Sequence, residues 1–477
     1  MQRLSSQDAS FLHLEDGVSH MHIGSIALFE GPAPPYDELV EHVLSKLPEV
    51  PRYRQCAHFL PLALGRPVWV DDPHFNLRYH LRRTALPEPG GDDELRLLVG
   101  RVMSQRLDRD KPLWEMWMVE GLSANRWALV SKVHHAIVDG VAGAELLSAI
   151  LDEEREPSGD AAPGDWKPER QPSGPELAAG AVLERIASPF GGIRSVVGAP
   201  RQALELAAAT AGGVMTLAGV VNPPPASSLN GPIGPHRRWD WARSELSDVK
   251  RIRDALGGTV NDVVLTAIAG GFRELLASRG ESTQRDVRTL VPVSVRASGD
   301  REYNNRVSAI FANLPVGIED PVERLAAMHE QMDQLKRSHS AVAGDVLVGL
   351  SGFAPAMLLS LGLRAASRMP QRSVQTVTTN VPGPQKTLYA AGRRMLEAFP
   401  YVPLAGRVRI GVAIFSYDGG LHFGVTGDWD QAPDIGVLCR GIETSMADLL
   451  AAAGPDDSGG PVRSARVRAA PAEPSRP

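Results

Sequence analysis

A stretch rich in proline, glycine, serine and charge, REPSGDAAPGDWKPERQPSGPE at residues 155–176, divides this chain. Such a composition is typical of an exposed linker between folded regions. The chain has 477 residues, which is too long for one ordinary domain. We therefore predict an N-terminal domain over residues 1–154 and a C-terminal domain over residues 227–454. The linker, residues 155–226, includes an Ala-rich helical segment, and the Pro- and Arg-rich tail, residues 455–477, is predicted to be disordered.

Both predicted domains combine helix and strand patterns. The spacing of apolar residues predicts helices at residues 36–47, 92–107, 141–154, 247–256, 261–278, 320–338 and 435–453. Runs of strand-forming residues predict strands at residues 22–31, 126–138, 287–296, 305–316, 375–380, 407–417 and 421–428. Strands and helices do not alternate regularly, so the pattern predicts an α+β fold rather than a doubly wound parallel sheet.

The composition is that of a globular protein, with 43% hydrophobic and 22% charged residues. The net charge of −6 gives no electrostatic reason to expect nucleic-acid binding. Cys56 and Cys439 lie far apart and form no metal-binding or redox motif, which favours a reducing compartment. The first 17 residues lack the apolar core of a secretory signal. We therefore expect a cytoplasmic protein.

Two apolar segments, residues 204–222 and 341–363, are candidates for membrane contact. The first consists of small residues, and the second contains Asp345 and Pro355. A membrane-spanning helix needs about 20 strongly apolar residues, and neither segment meets that requirement well. We interpret both as buried helices, with peripheral contact at a membrane or lipid droplet as the alternative.

The sequence HHAIVDG, residues 134–140, lies where a strand pattern gives way to a helix pattern. Asp139 falls at the predicted helix start, where a carboxylate can accept hydrogen bonds from free backbone N–H groups. Gly140 allows a tight turn. Adjacent residues of a strand point to opposite faces, so His134 and His135 should not face one cavity.

Three interpretations of the histidine pair are open: a metal site, a structural pair at a strand end, or a general base. A zinc site needs three or four converging ligands, and no second His/Cys cluster lies nearby in the sequence. A neutral imidazole can remove a proton from a hydroxyl group near neutral pH. The chain has no GxSxG or Walker motif, which argues against a serine hydrolase or a nucleotide triphosphate site. The functional interpretation is direct transfer of an activated acyl group to an alcohol.

HHxxxDG resembles the signature of the acyl-CoA-dependent acyltransferase superfamily, which includes chloramphenicol acetyltransferase and peptide-synthetase condensation domains. Over residues 5 to 453 the chain is more closely similar to bacterial wax ester synthase/diacylglycerol acyltransferases. That similarity is carried by SSQDASFLHLEDGVSHMHIGSIALFEGP (5–32), PLWEMWMVEGL (112–122), LNGPIGPHRRW (229–239), GGTVNDVVLTAIAGGFRELL (257–276), PVSVR (292–296), NNRVSAIFANLPV (304–316) and TTNVPGP (378–384). The resemblance implies two chloramphenicol-acetyltransferase-like domains with the active site at their interface.

The same resemblance implies roles for individual residues. His135 is the expected general base, and His134 is expected to shape the turn. Asp139 is expected to orient the site, with Arg296 as the proposed partner of its carboxylate. Gly140 leaves room for substrate, and its backbone N–H can face the developing oxyanion.

Asn261 and Asp262 match the family's ND motif. Both residue types also cap helices well, so support of the site is favoured over direct chemistry.

The resemblance implies a long-chain acyl-CoA as substrate, with no further cofactor and no metal. The expected acceptor is diacylglycerol, and a fatty alcohol would instead give a wax ester. Two alternatives stay open: an acyltransferase that takes its acyl group from a carrier protein to esterify a polyketide or sugar, and a non-catalytic lipid-binding protein.

Overall fold

The computed structural model describes residues 2–60, 66–137, 149–156, 166–171, 176, 227–294, 307–337 and 374–455. In these residues, helices lie at Ser6–Leu14 (α1), Tyr36–Lys46 (α2), Leu77–His80 (α3), Asp92–Ser104 (α4), Leu246–Leu256 (α5), Val260–Ser278 (α6), Pro321–Arg337 (α7) and Ile435–Ala452 (α8). Strands lie at Gln2–Arg3 (β1), His22–Glu30 (β2), Gln55–His58 (β3), Val68–Asp71 (β4), Leu81–Ala85 (β5), Trp114–Leu122 (β6), Arg126–His134 (β7), Arg237–Glu245 (β8), Val287–Ser294 (β9), Val307–Leu314 (β10), Thr376–Val381 (β11), Tyr389–Ala390 (β12), Arg393–Tyr401 (β13), Ile410–Tyr417 (β14) and Gly420–Asp428 (β15). Turns of 3-10 helix lie at Leu47–Glu49, Pro51–Arg54 and His135–Ile137.

Local capping explains where two of the helices begin. At α4 the Glu94 carboxylate accepts a hydrogen bond from the backbone N–H of Gly91 at 2.8 Å. At α6 the Asp262 N–H donates to Thr259 Oγ1, and the Thr259 N–H donates to Asp262 Oδ2. Capping bonds of this kind, which are reciprocal at α6, satisfy N–H groups that have no partner within the helix. The polar residues at these positions therefore fix the first turn of each helix.

The first large sheet has the strand order β12-β13-β2-β7-β6-β5. Its strands pair antiparallel, apart from the parallel pair β5–β6. The β2–β7 pair sets His22 directly opposite His134 at one end of the sheet. A separate three-stranded sheet, β1-β4-β3, lies beside it in the same half of the chain.

The second large sheet has the order β10-β9-β11-β14-β15-β8. Strand β11 runs parallel to both β9 and β14, and the other pairs are antiparallel. Helices α6 and α8 pack on this sheet, and α6 is buried along nearly its whole length. A helix that is apolar on all sides is expected to be buried on all sides, whereas a helix with one solvated face carries polar residues there.

Strand β13 joins the two halves of the molecule. It pairs with β2 in the first sheet, although its residues belong to the C-terminal half of the chain. It also passes so close to β15 that the Pro400 carbonyl oxygen would lie 1.7 Å from a Cβ atom at Gly424. Trp239 Nε1 donates to that same oxygen at 3.3 Å. The absence of a side chain at Gly424 is what allows the two strands to cross in contact.

The predicted α+β class is confirmed, and most predicted elements agree with the observed ones to within a few residues. The predicted strand at 126–138 was too long, because the backbone turns into a 3-10 helix at His135. The predicted helix at 141–154 is wrong for residues 151–154, which are not helical, and Asp152 there forms a bridge with Tyr389. Strands β8 and β13 were not predicted, and β12 and β13 lie in the first sheet despite their position in the predicted C-terminal domain.

The predicted Ala-rich helical segment, both apolar segments (204–222 and 341–363) and almost all of the predicted tail lie outside the described residues. Across the described part of the chain, no individual helix has the length and apolar character needed to cross a bilayer. Helices α5 and α6, which meet at a bend of 101°, reach that length and apolar character only when taken together.

Candidate active site

The two histidines of HHAIVDG lie at the end of β7, on either side of a change in backbone structure. His134 is the last residue of the strand, and its N–H donates to the Leu113 carbonyl at 2.9 Å. His135 begins the 3-10 turn, and its N–H donates to the Met21 carbonyl at 2.8 Å. The backbone of both residues is therefore held by neighbouring segments, which fixes where each ring can point.

His135 is half-buried, and its ring stacks on Phe11 of α1. The ring centroids are 4.0 Å apart, and the ring planes differ by 25°. Burial lowers the pKa of His135 below its usual 6.5, and a hydrogen bond to its own backbone carbonyl acts in the opposite direction. A neutral imidazole keeps one nitrogen lone pair, which a general base needs.

His134 is more buried than His135. Its ring is buried, and Nδ1 accepts a hydrogen bond from the Ala136 N–H at 3.0 Å. Burial first, then the positive charge of Arg109, lowers the pKa of His134 to about 3. This hydrogen bond ties the neutral His134 ring to the backbone of the 3-10 turn, and so stabilises the turn that carries His135.

The turn belongs to a hydrophobic cluster with members from both halves of the chain. Ala136 and Ile137 belong to a hydrophobic cluster that includes Phe415 and Tyr417 of β14 and Leu388. Val381, at the end of β11, packs against the same cluster. The histidine motif therefore lies where the N-terminal sheet meets elements of the C-terminal half.

Asn261 and Asp262 lie in the first turn of α6. The Asn380 Nδ2 group donates to Asn261 Oδ1 at 3.3 Å, which ties the helix start to the end of β11. The Asp262 carboxylate is fully buried, and its Oδ2 is 2.8 Å from Nδ1 of His329 on α7. These contacts are structural, because they link the start of α6 to two neighbouring elements.

Three of the predicted site residues, Asp139, Gly140 and Arg296, lie outside the described residues. Their roles, including the pairing of Asp139 with Arg296, stay predictions. Within the described ranges, no group of three or more His, Cys, Asp or Glu side chains has an arrangement that could hold a metal ion.

Sequence reasoning missed Phe11, Glu15 and Arg109. Arg109 Nε donates to Glu15 Oε2 at 2.8 Å, although these residues are 94 positions apart in the chain. Their segment, SSQDASFLHLEDG, contributed to the family resemblance, but no periodic pattern indicated contact with the histidines. Such a contact depends on tertiary packing, and a single sequence does not reveal it.

The chain is similar to known proteins over nearly its whole length. The family model described as wax ester synthase/diacylglycerol acyltransferase catalytic domain matches residues 4–264, and the WS/DGAT C-terminal domain matches residues 303–450. A probable diacylglycerol O-acyltransferase of Mycobacterium tuberculosis (strain ATCC 25618 / H37Rv) is 38% identical over 459 residues, covering 94% of this chain and 96% of the relative. A second putative diacylglycerol O-acyltransferase of that strain is 33% identical over 462 residues, covering 96% of this chain and 92% of the relative.

Solved structures agree with these matches. The wax ester synthase/diacylglycerol acyltransferase from Marinobacter aquaeolei VT8 superposes with a TM-score of 0.67 at 26% identity, covering 95% of this chain and 100% of that one. The trichothecene 15-O-acetyltransferase TRI3 from Fusarium sporotrichioides superposes at 0.61 with 10% identity, covering 94% of each chain. The second match concerns the fold alone. Together with the two six-stranded sheets, these matches confirm the predicted two-domain acyltransferase fold.

Proposed function

Because this chain belongs to the wax ester synthase/diacylglycerol acyltransferase family and is an acyltransferase, we propose that it moves a long-chain acyl group from acyl-CoA to the hydroxyl group of diacylglycerol, with His135 as general base. The observation that carries this proposal is the state of His135. This residue is half-buried, burial lowers its pKa, and it adjoins Ala136 and Ile137, which belong to a hydrophobic cluster with members from both halves of the chain.

The reaction needs one proton carrier and no covalent acyl-enzyme. The His135 imidazole takes the proton of the acceptor hydroxyl as that oxygen attacks the thioester carbonyl carbon. The tetrahedral intermediate then loses the coenzyme A thiolate as the C–S bond breaks. The imidazolium returns its proton to the sulfur, which gives the ester, free coenzyme A and the original neutral histidine.

Diacylglycerol as acceptor would give triacylglycerol, and a fatty alcohol would give a wax ester. The proposal of diacylglycerol draws on relatives named as diacylglycerol O-acyltransferases that span nearly the whole chain. A donor bound to a carrier protein, or a non-catalytic lipid-binding role, are the competing functions.

The test uses purified full-length protein with palmitoyl-CoA and either dipalmitoylglycerol or hexadecanol. Thiol release and neutral-lipid product are followed together, with an acceptor-free reaction as the control for simple thioester hydrolysis. We expect equal amounts of thiol and triacylglycerol with dipalmitoylglycerol. Thiol release without ester would mean hydrolysis, and the lack of both products with either acceptor would favour a carrier-bound donor or a non-catalytic role.

The rate of acyl transfer is expected to stay constant from neutral pH to below pH 6.5, and to fall at lower pH. The reason is that the neutral imidazole is the active form, and a lowered pKa extends that form to more acidic solutions. Thiol release can be followed with dithiodipyridine, which works in acid, while circular dichroism confirms that the protein stays folded. A rate that fell with a midpoint above pH 6.5 would contradict the assignment of His135.

We further propose that the enzyme acts in the cytoplasm, in peripheral contact with a membrane or lipid droplet. Support comes from the two water-insoluble acceptors and from the apolar segments at residues 204–222 and 341–363. Flotation with triolein droplets coated with phospholipid tests this proposal. Recovery of all the protein in the droplet-free fraction would count against it.

A further inference from the structure

Behind the catalytic turn lies a buried carboxylate that the reaction itself does not use. Glu15 follows the last residue of α1, and its side chain is 1% exposed. Arg109 Nε donates to Glu15 Oε2 at 2.8 Å, and Arg109 Nη2 donates to the Leu12 carbonyl at 2.7 Å. Arg109 thus holds the end of α1 and the carboxylate together.

The hydrogen bonds of His134 determine which of its nitrogens carries a proton. Nδ1 accepts from the Ala136 N–H, so the lone pair of the ring lies on Nδ1. Because burial keeps this ring neutral, its one proton lies on Nε2. Nε2 is buried and has no hydrogen-bond partner among the residues that the structure describes.

Glu15 lies close to that unused donor. Its Oε2 atom is 3.9 Å from His134 Nε2, which is too long for a direct hydrogen bond but short enough for one bridging water. Oε1 is also buried and has no hydrogen-bond partner in the described ranges. A buried donor and a buried acceptor that both lack hydrogen bonds lower the stability of the fold. A hydrogen bond between the two side chains, here through a water, removes that cost.

We propose that Glu15 is a positioning residue for catalysis: its carboxylate accepts the His134 Nε2–H through one bridging water, and so fixes the tautomer that offers Nδ1 to the Ala136 N–H. The bond from the Ala136 N–H to His134 Nδ1 shapes the 3-10 turn and thereby sets the direction of the His135 ring. The role of Glu15 rests on the proposed function of His135 as general base.

His22 is a second group that could accept the hydrogen bond from the His134 Nε2–H. It lies opposite His134 in the β2–β7 pair, it is fully buried, and neither of its ring nitrogens has a hydrogen-bond partner within the described part of the chain. A carboxylate is favoured because it accepts only, whereas a neutral histidine also brings a donor that must itself be satisfied.

Two variants of Glu15 test the proposal by kinetics. Glu15→Met keeps the bulk of the side chain and removes the acceptor, and we expect kcat to fall about 10- to 100-fold with little change in KM. Glu15→Gln keeps one acceptor oxygen, so its kcat should lie between those of the Met variant and the natural enzyme. A matched control is Asp152→Asn, since Asp152 is also a buried carboxylate, 3.4 Å from His42 and 2.7 Å from Lys46.

The control should lose thermal stability and keep its kcat. If Glu15→Met lost stability alone and kept kcat per folded molecule, Glu15 would be a purely structural residue and the proposal would be overturned.

A spectroscopic measurement separates this proposal from the function of His135. Long-range proton–nitrogen spectra of ¹⁵N-histidine-labelled protein report the tautomer of each ring. The signals of His134 are assigned as those that disappear in the His134→Gln variant. We expect the Nε2–H form in the natural protein and a mixed or Nδ1–H form in Glu15→Met. An Nδ1–H tautomer in the natural protein would overturn the role of Glu15. If His22→Phe lost the Nε2–H form of His134 and Glu15→Met kept it, His22 rather than Glu15 would be the acceptor.

These spectra do not depend on turnover. If the enzyme failed to transfer acyl groups but kept the Nε2–H form of His134, the proposed function would fail while the contact with Glu15 stood.

Discussion

Replacement of His135 by alanine is expected to lower kcat for acyl transfer about 10²- to 10⁴-fold, because a positioned general base contributes about that much. The variant loses the imidazole lone pair and keeps the rest of the turn, whose backbone is held by the Met21 and Leu113 carbonyls. KM for acyl-CoA should change little. Steady-state kinetics with palmitoyl-CoA and dipalmitoylglycerol provide the measurement.

His58→Ala is the matched control, since His58 is an exposed histidine at the end of β3. It should retain full activity. Removal of the imidazole also removes the stacking partner of Phe11, so the melting temperature of each variant is needed to exclude loss of fold. Retention of more than about a tenth of kcat in a folded His135→Ala enzyme would remove the histidine from the mechanism.

Gly424→Ala is expected to lower the free energy of unfolding by about 3 kcal/mol or more, at the upper end of the usual cost of overpacking. The new methyl group would lie 1.7 Å from the Pro400 carbonyl oxygen, and real Cβ contacts are essentially never shorter than 3.0 Å. The obstacle is backbone rather than a flexible side chain. Strand β13 must therefore move away from β15, which disturbs the contact between the two sheets.

Urea unfolding followed by tryptophan fluorescence measures this effect, since Trp239 and Trp241 lie in the hydrophobic cluster around Phe399 of β13. Gly17→Ala is the control, because a Cβ atom at Gly17 would meet no heavy atom within 4 Å. Its unfolding midpoint should match that of the natural protein. An unchanged midpoint for Gly424→Ala would mean that β13 is not held against β15 in solution.

Part of the fold was predictable from the sequence because the elements concerned carry their own local signals. Helices α2, α4, α6 and α8 have apolar residues at helical spacing, and β2 and β15 are short runs of strand formers. The ND pair is another local signal, since Asp262 lies in the first turn of α6 and caps that helix by accepting from the Thr259 N–H. Such signals lie within one element, so they need no knowledge of what packs against it.

Strand β13 carried no comparable signal. Its sequence, RRMLEAFPY, contains a proline and two adjacent arginines, and it belongs by position to the C-terminal half. It becomes a strand because β2 offers a free edge and because Gly424 leaves room for the Pro400 carbonyl. Both conditions arise only when the two halves of the chain meet.

The sequence by itself determined the class of the fold and the place of the two histidines at the end of a strand, and the family resemblance predicted His135 rather than His134 as the base. Tertiary structure alone decided what surrounds the two histidines. Phe11 stacks on His135, and Glu15 with Arg109 lies behind His134, although these residues come from distant parts of the chain. The physical reason is that periodicity reports which face of an element is buried, whereas the partner of a buried polar atom is set by long-range packing.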